Sequence, residues 1–357
     1  MDMKGLLIKI GTLALKACYW TFVLVIALFV LVFFLRTSGV GINGKATIDK
    51  TLTGSAYRPY VYRVLLPMTA NFLSPVLPRK AALQLGVESE TVLGDKFFRA
   101  RLNGRLYPRE VIVILIMMYL SLVGFAITMW VLVKEFGYSV LIRYAAPPVL
   151  LLASTVFFGF GYIYDFSTLF FFSLGLLLMA RREWGWFLFI FAIATLNKET
   201  TIFLYLVFAL YFFNRMPRRN FILLSACQLG LYALIQGIIR FMYRNNPGDA
   251  LEWHFSDQIP QYTAIAEKTP LLLVVWGAAL IMIAILVAYK WRRKPEFMRI
   301  AFAIFPFFLF LFIFWAYPLE IRDLLEVYPI LAILMLPPPA MTRNGFTASG
   351  GETRSVE

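Results

Sequence analysis

ACYWTFVLVIALFVLVFFL, residues 17–35, runs without a charge until Arg36 closes it. At about 1.5 Å of rise per residue such a helix reaches ~30 Å, the thickness of a bilayer's hydrocarbon core. Lys4, Lys9 and Lys16 precede it in the layout of a signal sequence. No small-residue cleavage pattern follows, so it reads as a retained first membrane span with the N-terminus in the cytoplasm.

Further apolar runs cover 111–133, 140–160, 166–180, 184–196, 200–213, 220–241, 270–289, 299–317 and 324–337. The expected architecture is an all-α, polytopic transmembrane bundle of roughly ten helices, a single domain over residues 1–337. Residues 338–357, opened by prolines and followed by Gly, Ser and Thr, read as a disordered cytoplasmic tail. Several runs fall short of the ~20 residues a square crossing needs, which points to a locally thinned or water-filled region. Composition agrees: 61% of residues are apolar and 15% charged, with 35 Phe.

The net charge of +14 sits in clusters beside the spans and forms no separate basic module, so it reads as loop charge and not as a nucleic-acid footprint. Cys18 and Cys227 both lie in apolar runs and offer neither a disulfide framework nor a thiolate metal site. His254 is the lone histidine, which excludes zincin motifs and di-histidine metal pairs. Candidate chemistry therefore rests on carboxylates, Lys, Arg and Tyr.

Arg and Lys enrichment of cytoplasmic loops puts Arg181 and Arg182, Arg215, Arg218 and Arg219, and the run from Lys290 to Lys294 on the inner side. Keeping Arg181 and Arg215 together requires a hairpin at Asn197, Lys198 and Glu199. The other side then receives the first loop, 36–110, the turn at Tyr164 and Asp165, the hairpin turn, the loop 242–269, and the turn from Glu320 to Asp323. The first loop carries Arg79, Lys80, Arg99, Arg101, Arg105 and Arg109, which a long translocated loop tolerates. Its stretch 61–77 reads as an interfacial or re-entrant helix, because a full crossing there would invert every later loop.

Each polar cluster on that side admits two readings. Asp165, in YDFSTLFFFSLG (164–175), is either a first-turn helix acid or a carboxylate that holds a divalent cation or orients a hydroxyl. In ATLNKETTIFL (194–204), Lys198 and Glu199 are either a local pair or a phosphate contact with Asn197 or Glu199 fixing the lysine. In PLEIRDLLEVYP (318–329), Glu320 and Arg322 are two apart, so on a regular helix only one would point inward. YRPYVYRVLLP (57–67) places Arg58 and Arg63 among tyrosines, as an interface belt or a lipid-phosphate clamp. Asp49 upstream is a loop acid or a proton acceptor, while Glu252, His254 and Asp257 read as a solvated acidic loop.

This layout, with Glu-x-Arg at Glu320 and Arg322 followed by Pro329, resembles the GT-C superfamily of polytopic glycosyltransferases, in particular the His-Lys-Glu-x-Arg-Phe…Pro segment of its mannosyltransferase branch. Pro318 and Leu319 stand where that segment has His-Lys, and the paired acids usual in the family's first loop are absent around Asp49. The resemblance implies a polyprenyl-phosphate sugar donor held at a non-cytoplasmic membrane face, with Asp49 and Asp165 as the catalytic acids. Arg58, Arg63, Lys198 and Arg322 would meet the lipid phosphate, Tyr164, Asn197, Glu199 and Glu320 would complete the substrate site, and a divalent cation would fall to Asp165. The expected location is a bacterial inner membrane, with membrane lipids and the lipid-linked sugar as partners. A transporter or flippase of lipid-linked glycans would use the same cations without a catalytic carboxylate, and a membrane scaffold would need none of the clusters.

Overall fold

The computed structural model describes residues 3–38, 40, 43–85, 106–249, 253–317 and 320–339. Among these residues every regular element is helical, with fourteen α-helices joined by short 3-10 turns and no strand. In chain order they are α1 (Met3–Thr37), α2 (Ile48–Thr53), α3 (Leu65–Leu73), α4 (Pro108–Glu135), α5 (Val140–Ala153), α6 (Asp165–Ala180) and α7 (Trp184–Asn197). Then follow α8 (Ile202–Phe212), α9 (Arg218–Met242), α10 (Phe255–Lys268), α11 (Pro270–Ala288), α12 (Glu296–Ala301), α13 (Phe305–Trp315) and α14 (Tyr328–Met335).

Among the described residues, six helical stretches are long and apolar enough to cross a membrane, built on α1, α4, α5, α9, α11 and the α12–α13 run. This is fewer than the ten or so that the apolar runs suggest. The difference has a local cause: α6 and α8 begin, and α7 ends, at the polar turns around 162–165 and 197–201, and α14 starts only after the irregular segment 321–327. These turns are folded into the protein rather than displayed at its rim, since Asp165, Asn197, Lys198 and Arg322 are all buried.

Two ends of the bundle can be told apart by their contacts. At one, Arg181 bonds Glu135, Arg215 bonds Glu296, and Lys294 Nζ donates to the Leu336 carbonyl. The opposite end gathers the start of α6, the end of α7, the segment before α3 and the turn before α14. The hairpin expected at 197–199 is present: Trp184, opening α7, lies edge-on against Phe208 and Phe212 near the end of α8, with ring centroids 5.6 and 4.9 Å apart. The segment 61–77 holds one short helix between 3-10 turns. Its helix α3 has nine residues, about 13 Å of rise, packs on α4, and turns Met68 and Phe72 outward.

One apolar core runs from Val23 to Leu334, filled by rings such as Phe125, Phe166, Phe187 and Phe208. The outside is apolar too. Phe22, Leu28 and Phe29 on α1 and Leu271, Leu280 and Ile285 on α11 are exposed, apolar surface that water does not tolerate and acyl chains do. The protein is an integral membrane protein on this ground. Arg99, Arg101, Arg105, Glu252 and the tail from 340 onward lie outside the described residues.

Candidate functional site

The site begins with three chain turns that cannot complete a helix. Lys198 is extended, between the last turn of α7 and a 3-10 turn at Glu199–Thr201, so its side chain is turned out of both helices and into the bundle. Its Nζ lies 2.8 Å from Glu326 Oε1, both side chains almost fully buried, and Thr200 Oγ1 donates to the same oxygen. Asn197 closes α7 by accepting the Ser167 hydroxyl at 2.8 Å and donating to Thr168 Oγ1 at 2.8 Å. It therefore ties α7 to the start of α6.

At that start Asp165 acts as a first-turn helix acid and is also paired with Arg322. Oδ2 accepts the Tyr162 N–H at 2.7 Å, a helix-start bond, and Oδ1 receives Arg322 Nη1 at 3.3 Å. Glu320 and Arg322 both point inward because Ile321–Leu324 is a 3-10 turn and the guanidinium folds back along it. Arg322 donates from Nε and Nη2 to Glu320 Oε1 at 2.9 and 2.6 Å, and Glu320 Oε2 accepts the Tyr317 N–H at 3.1 Å. Burial works against the Arg322 charge, but Glu320 and Asp165 outweigh it and the group stays firmly protonated. Burial also pushes the Glu320 carboxyl above its usual range, with Arg322 opposing.

The first loop reaches the same place. Asn246 donates to the carbonyls of Gly54 and Ala56 at 2.8 and 2.9 Å, and the Arg58 N–H donates to Pro247, so the stretch before α3 is strapped to the end of α9. That holds Arg63 against Glu199 at 3.0 Å and against the Tyr164 hydroxyl. Tyr60, Tyr162 and Tyr164 form a stack with centroids 5.3 and 5.4 Å apart. Arg322 lies over the Tyr162 ring at 4.2 Å and Arg63 over Tyr164 at 4.4 Å.

These groups face a cavity of about 330 Å³. Arg63, Lys198, Glu199, Glu320, Arg322 and Asp323 form its polar side, and Ile202, Phe203, Phe308, Leu311 and Trp315 its apolar side. Five residues expected in a substrate site thus share one space: Arg63, Lys198, Glu199, Glu320 and Arg322. Tyr164, Asn197 and Asp165 sit behind them as supports. Asp49, half-buried on α2, and Arg58 do not line the cavity. Among the described residues no three His, Cys, Asp or Glu side chains come together as a metal-ligand set.

Other residues enter the site unannounced. His254, expected in a solvated loop, is buried in the cavity wall with its ring 3.7 Å from that of Tyr317 and Nδ1 2.9 Å from Asp257. Glu326 joins the site through Lys198, a partner remote in sequence. Tyr232 and Arg240 come from α9, where Tyr232, Gln236 and Arg240 recur every four residues in its otherwise apolar second half, 229–242. That spacing is a legible signal of one polar stripe facing a protein interior. Comparison of the chain with known protein families, with curated proteins and with solved structures finds no match.

Proposed function

We propose that the protein is a GT-C-like membrane glycosyltransferase that moves a sugar from a polyprenyl-phosphate donor to an acceptor. The reaction belongs to the end of the bundle opposite Arg181 and Arg215, which is the non-cytoplasmic face of a bacterial plasma membrane. The observation that carries this reading is the mixed lining of the cavity: charges and tyrosines together with Phe203, Phe308, Leu311 and Trp315. An amphipathic lipid phosphate fits such a space, its head among the polar groups and its chain against the apolar helices. A volume of about 330 Å³ lies near the lower end of the ~300–1,000 Å³ usual for small-molecule sites, which suits one sugar unit with its phosphate better than a long glycan.

Transfer with inversion needs a carboxylate to accept the acceptor's proton and a cation to meet the departing phosphate. Both types are present in the cavity. The rival reading, a flippase, calls for passage between the two ends. Beneath the polar wall the Lys198–Glu326 pair borders only a water-sized void of about 10 Å³ among Phe171, Phe172 and Leu204, which favours chemistry at one face. In this reading the shorter helices α6, α7, α8 and α14 complete a bundle of about ten membrane passes, with both termini in the cytoplasm.

The test is transfer by the protein reconstituted in vesicles, offered a panel of labelled polyprenyl-phosphate sugars. Transfer by the wild type supports the proposal; movement of the lipid-linked sugar across the vesicle without transfer supports the flippase instead. Sidedness is checked separately with single cysteines at Gly44 and Arg218, both exposed, in a chain whose Cys18 and Cys227 are replaced by Ala. Membrane-impermeant thiol reagents should label the two positions from opposite sides. Labelling from one side would overturn the orientation.

A further inference from the structure

Among the described residues, seven charged side chains other than His254 line the cavity: Arg63, Lys198, Arg240 and Arg322 against Glu199, Glu320 and Asp323. Pairing them off leaves two. Arg63 is held by Glu199 at 3.0 Å, Arg322 by Glu320 at 2.6 Å and Asp165 at 3.3 Å, and Lys198 by Glu326 at 2.8 Å. All three cations are more than nine-tenths buried. To bind a ligand they would have to give up a partner in a place where an unpaired charge is very costly. Among the described residues lining the cavity, Arg240 is the one cation with no carboxylate partner; it is exposed and rests over the Tyr62 ring at 5.5 Å. Asp323 is the one lining carboxylate that makes no side-chain hydrogen bond, its closest cation being Arg322 at 3.8 Å, and it is 28% exposed.

We propose that Arg240 and Asp323 are the working charges of the site and that the three buried pairs are its frame. Arg240 receives the anionic phosphate of the donor, and Asp323 takes the proton of the acceptor hydroxyl. In the step itself the acceptor O–H bond breaks toward Asp323, the freed oxygen bonds the anomeric carbon, and the anomeric C–O bond breaks with its electron pair left on the lipid phosphate. The added negative charge then lies next to Arg240, and Asp323 leaves the step protonated. Neither acid implied by the family resemblance is as well placed, because Asp49 does not line the cavity and both oxygens of Asp165 are engaged.

This rests on the transferase reading, so the test has two arms. In nanodiscs, affinity for undecaprenyl phosphate is compared with that for undecaprenol. The wild type should prefer the phosphate, Arg240→Ala should lose that preference by ~10-fold or more, and Arg240→Lys should keep part of it. In the transfer assay Asp323→Asn should lower kcat by ~100-fold or more with KM for the donor little changed and phosphate binding intact, which shows a folded protein, while Asp323→Glu recovers some rate. A wild type with no preference for the phosphate and no transfer sinks the transferase reading and this assignment with it. A wild type that discriminates beside an Arg240→Ala that discriminates equally, or an Asp323→Asn with full rate, overturns the assignment and leaves the transferase reading standing.

Discussion

The two ends of the bundle use the same residue types to opposite effect. At the basic end, Arg181 with Glu135 and Arg215 with Glu296 are partly exposed pairs on the ends of helices. At the other end, Lys198 with Glu326 and Arg322 with Asp165 and Glu320 are sealed inside. Exposed pairs contribute about 0–1 kcal/mol, while deleting one partner of a buried pair costs ~3–5 kcal/mol because the other charge is stranded. A fold that needed only stability would fill such positions with apolar side chains, since replacing a whole buried pair is often neutral or favourable. Ion pairs kept buried at that cost single out this end as the candidate site, whereas Lys294, buried at the basic end, rests on the Leu336 carbonyl.

The largest expected effect follows from the Lys198–Glu326 pair. Glu326→Ala should lower unfolding free energy by ~3–5 kcal/mol, measured by denaturant titration in micelles, because Lys198 Nζ then has no carboxylate at 2.8 Å. The double variant Lys198→Met, Glu326→Leu should recover most of the loss yet fail to transfer sugar. Full activity in the double variant would reduce the pair to packing.

How much of this was readable in the chain differs by region. The first span, the hairpin at Lys198 and the gathering of Arg63, Glu199, Glu320 and Arg322 followed from hydrophobic length and the side preference of basic loops. The number of full-length spans did not, because an apolar run does not show where a buried polar turn cuts it short. Pairing was also hidden. Helices such as α8, IFLYLVFALYF, are apolar all round and give no face to orient them, so nothing local says that Lys198 meets Glu326 rather than its neighbour Glu199. Only the four-residue spacing of Tyr232, Gln236 and Arg240 would have led to the cavity's remaining cation.

Packing sharpens the same contrast at a smaller scale. Gly161, just before the Asp165 turn, lies so close to Phe34 that an added Cβ would be 2.1 Å from the ring, and Phe34 in turn packs on Phe166 at a centroid distance of 4.6 Å. Gly161→Ala should therefore cost ~1–3 kcal/mol by forcing the ring off its position, seen as a lower Tm. Shrinking the neighbour, as Phe34→Leu, should return part of that loss. Gly185, at the start of α7 near the basic end, has nothing within 4 Å of such a Cβ, so Gly185→Ala should leave Tm unchanged or slightly raised. Equal losses at the two glycines would erase the distinction between a tightly built end and a tolerant one.

The smallest effect is expected at a pair that distance alone would rank with the buried ones. Arg215 Nη2 is 2.7 Å from Glu296, but the two side chains are 34% and 48% exposed. Water and salt screen their attraction, and the guanidinium keeps a second bond to the Tyr211 carbonyl at 2.8 Å and a place over the Tyr211 ring at 4.5 Å. Glu296→Gln should thus change unfolding free energy by less than about 1 kcal/mol, with the difference shrinking as salt is raised. The Glu326→Ala loss should be insensitive to salt, because ions do not reach a pair buried between helices. A salt-independent loss of several kcal/mol from Glu296→Gln would mean that burial is not what separates the two ends, and costly charges would no longer single out one of them.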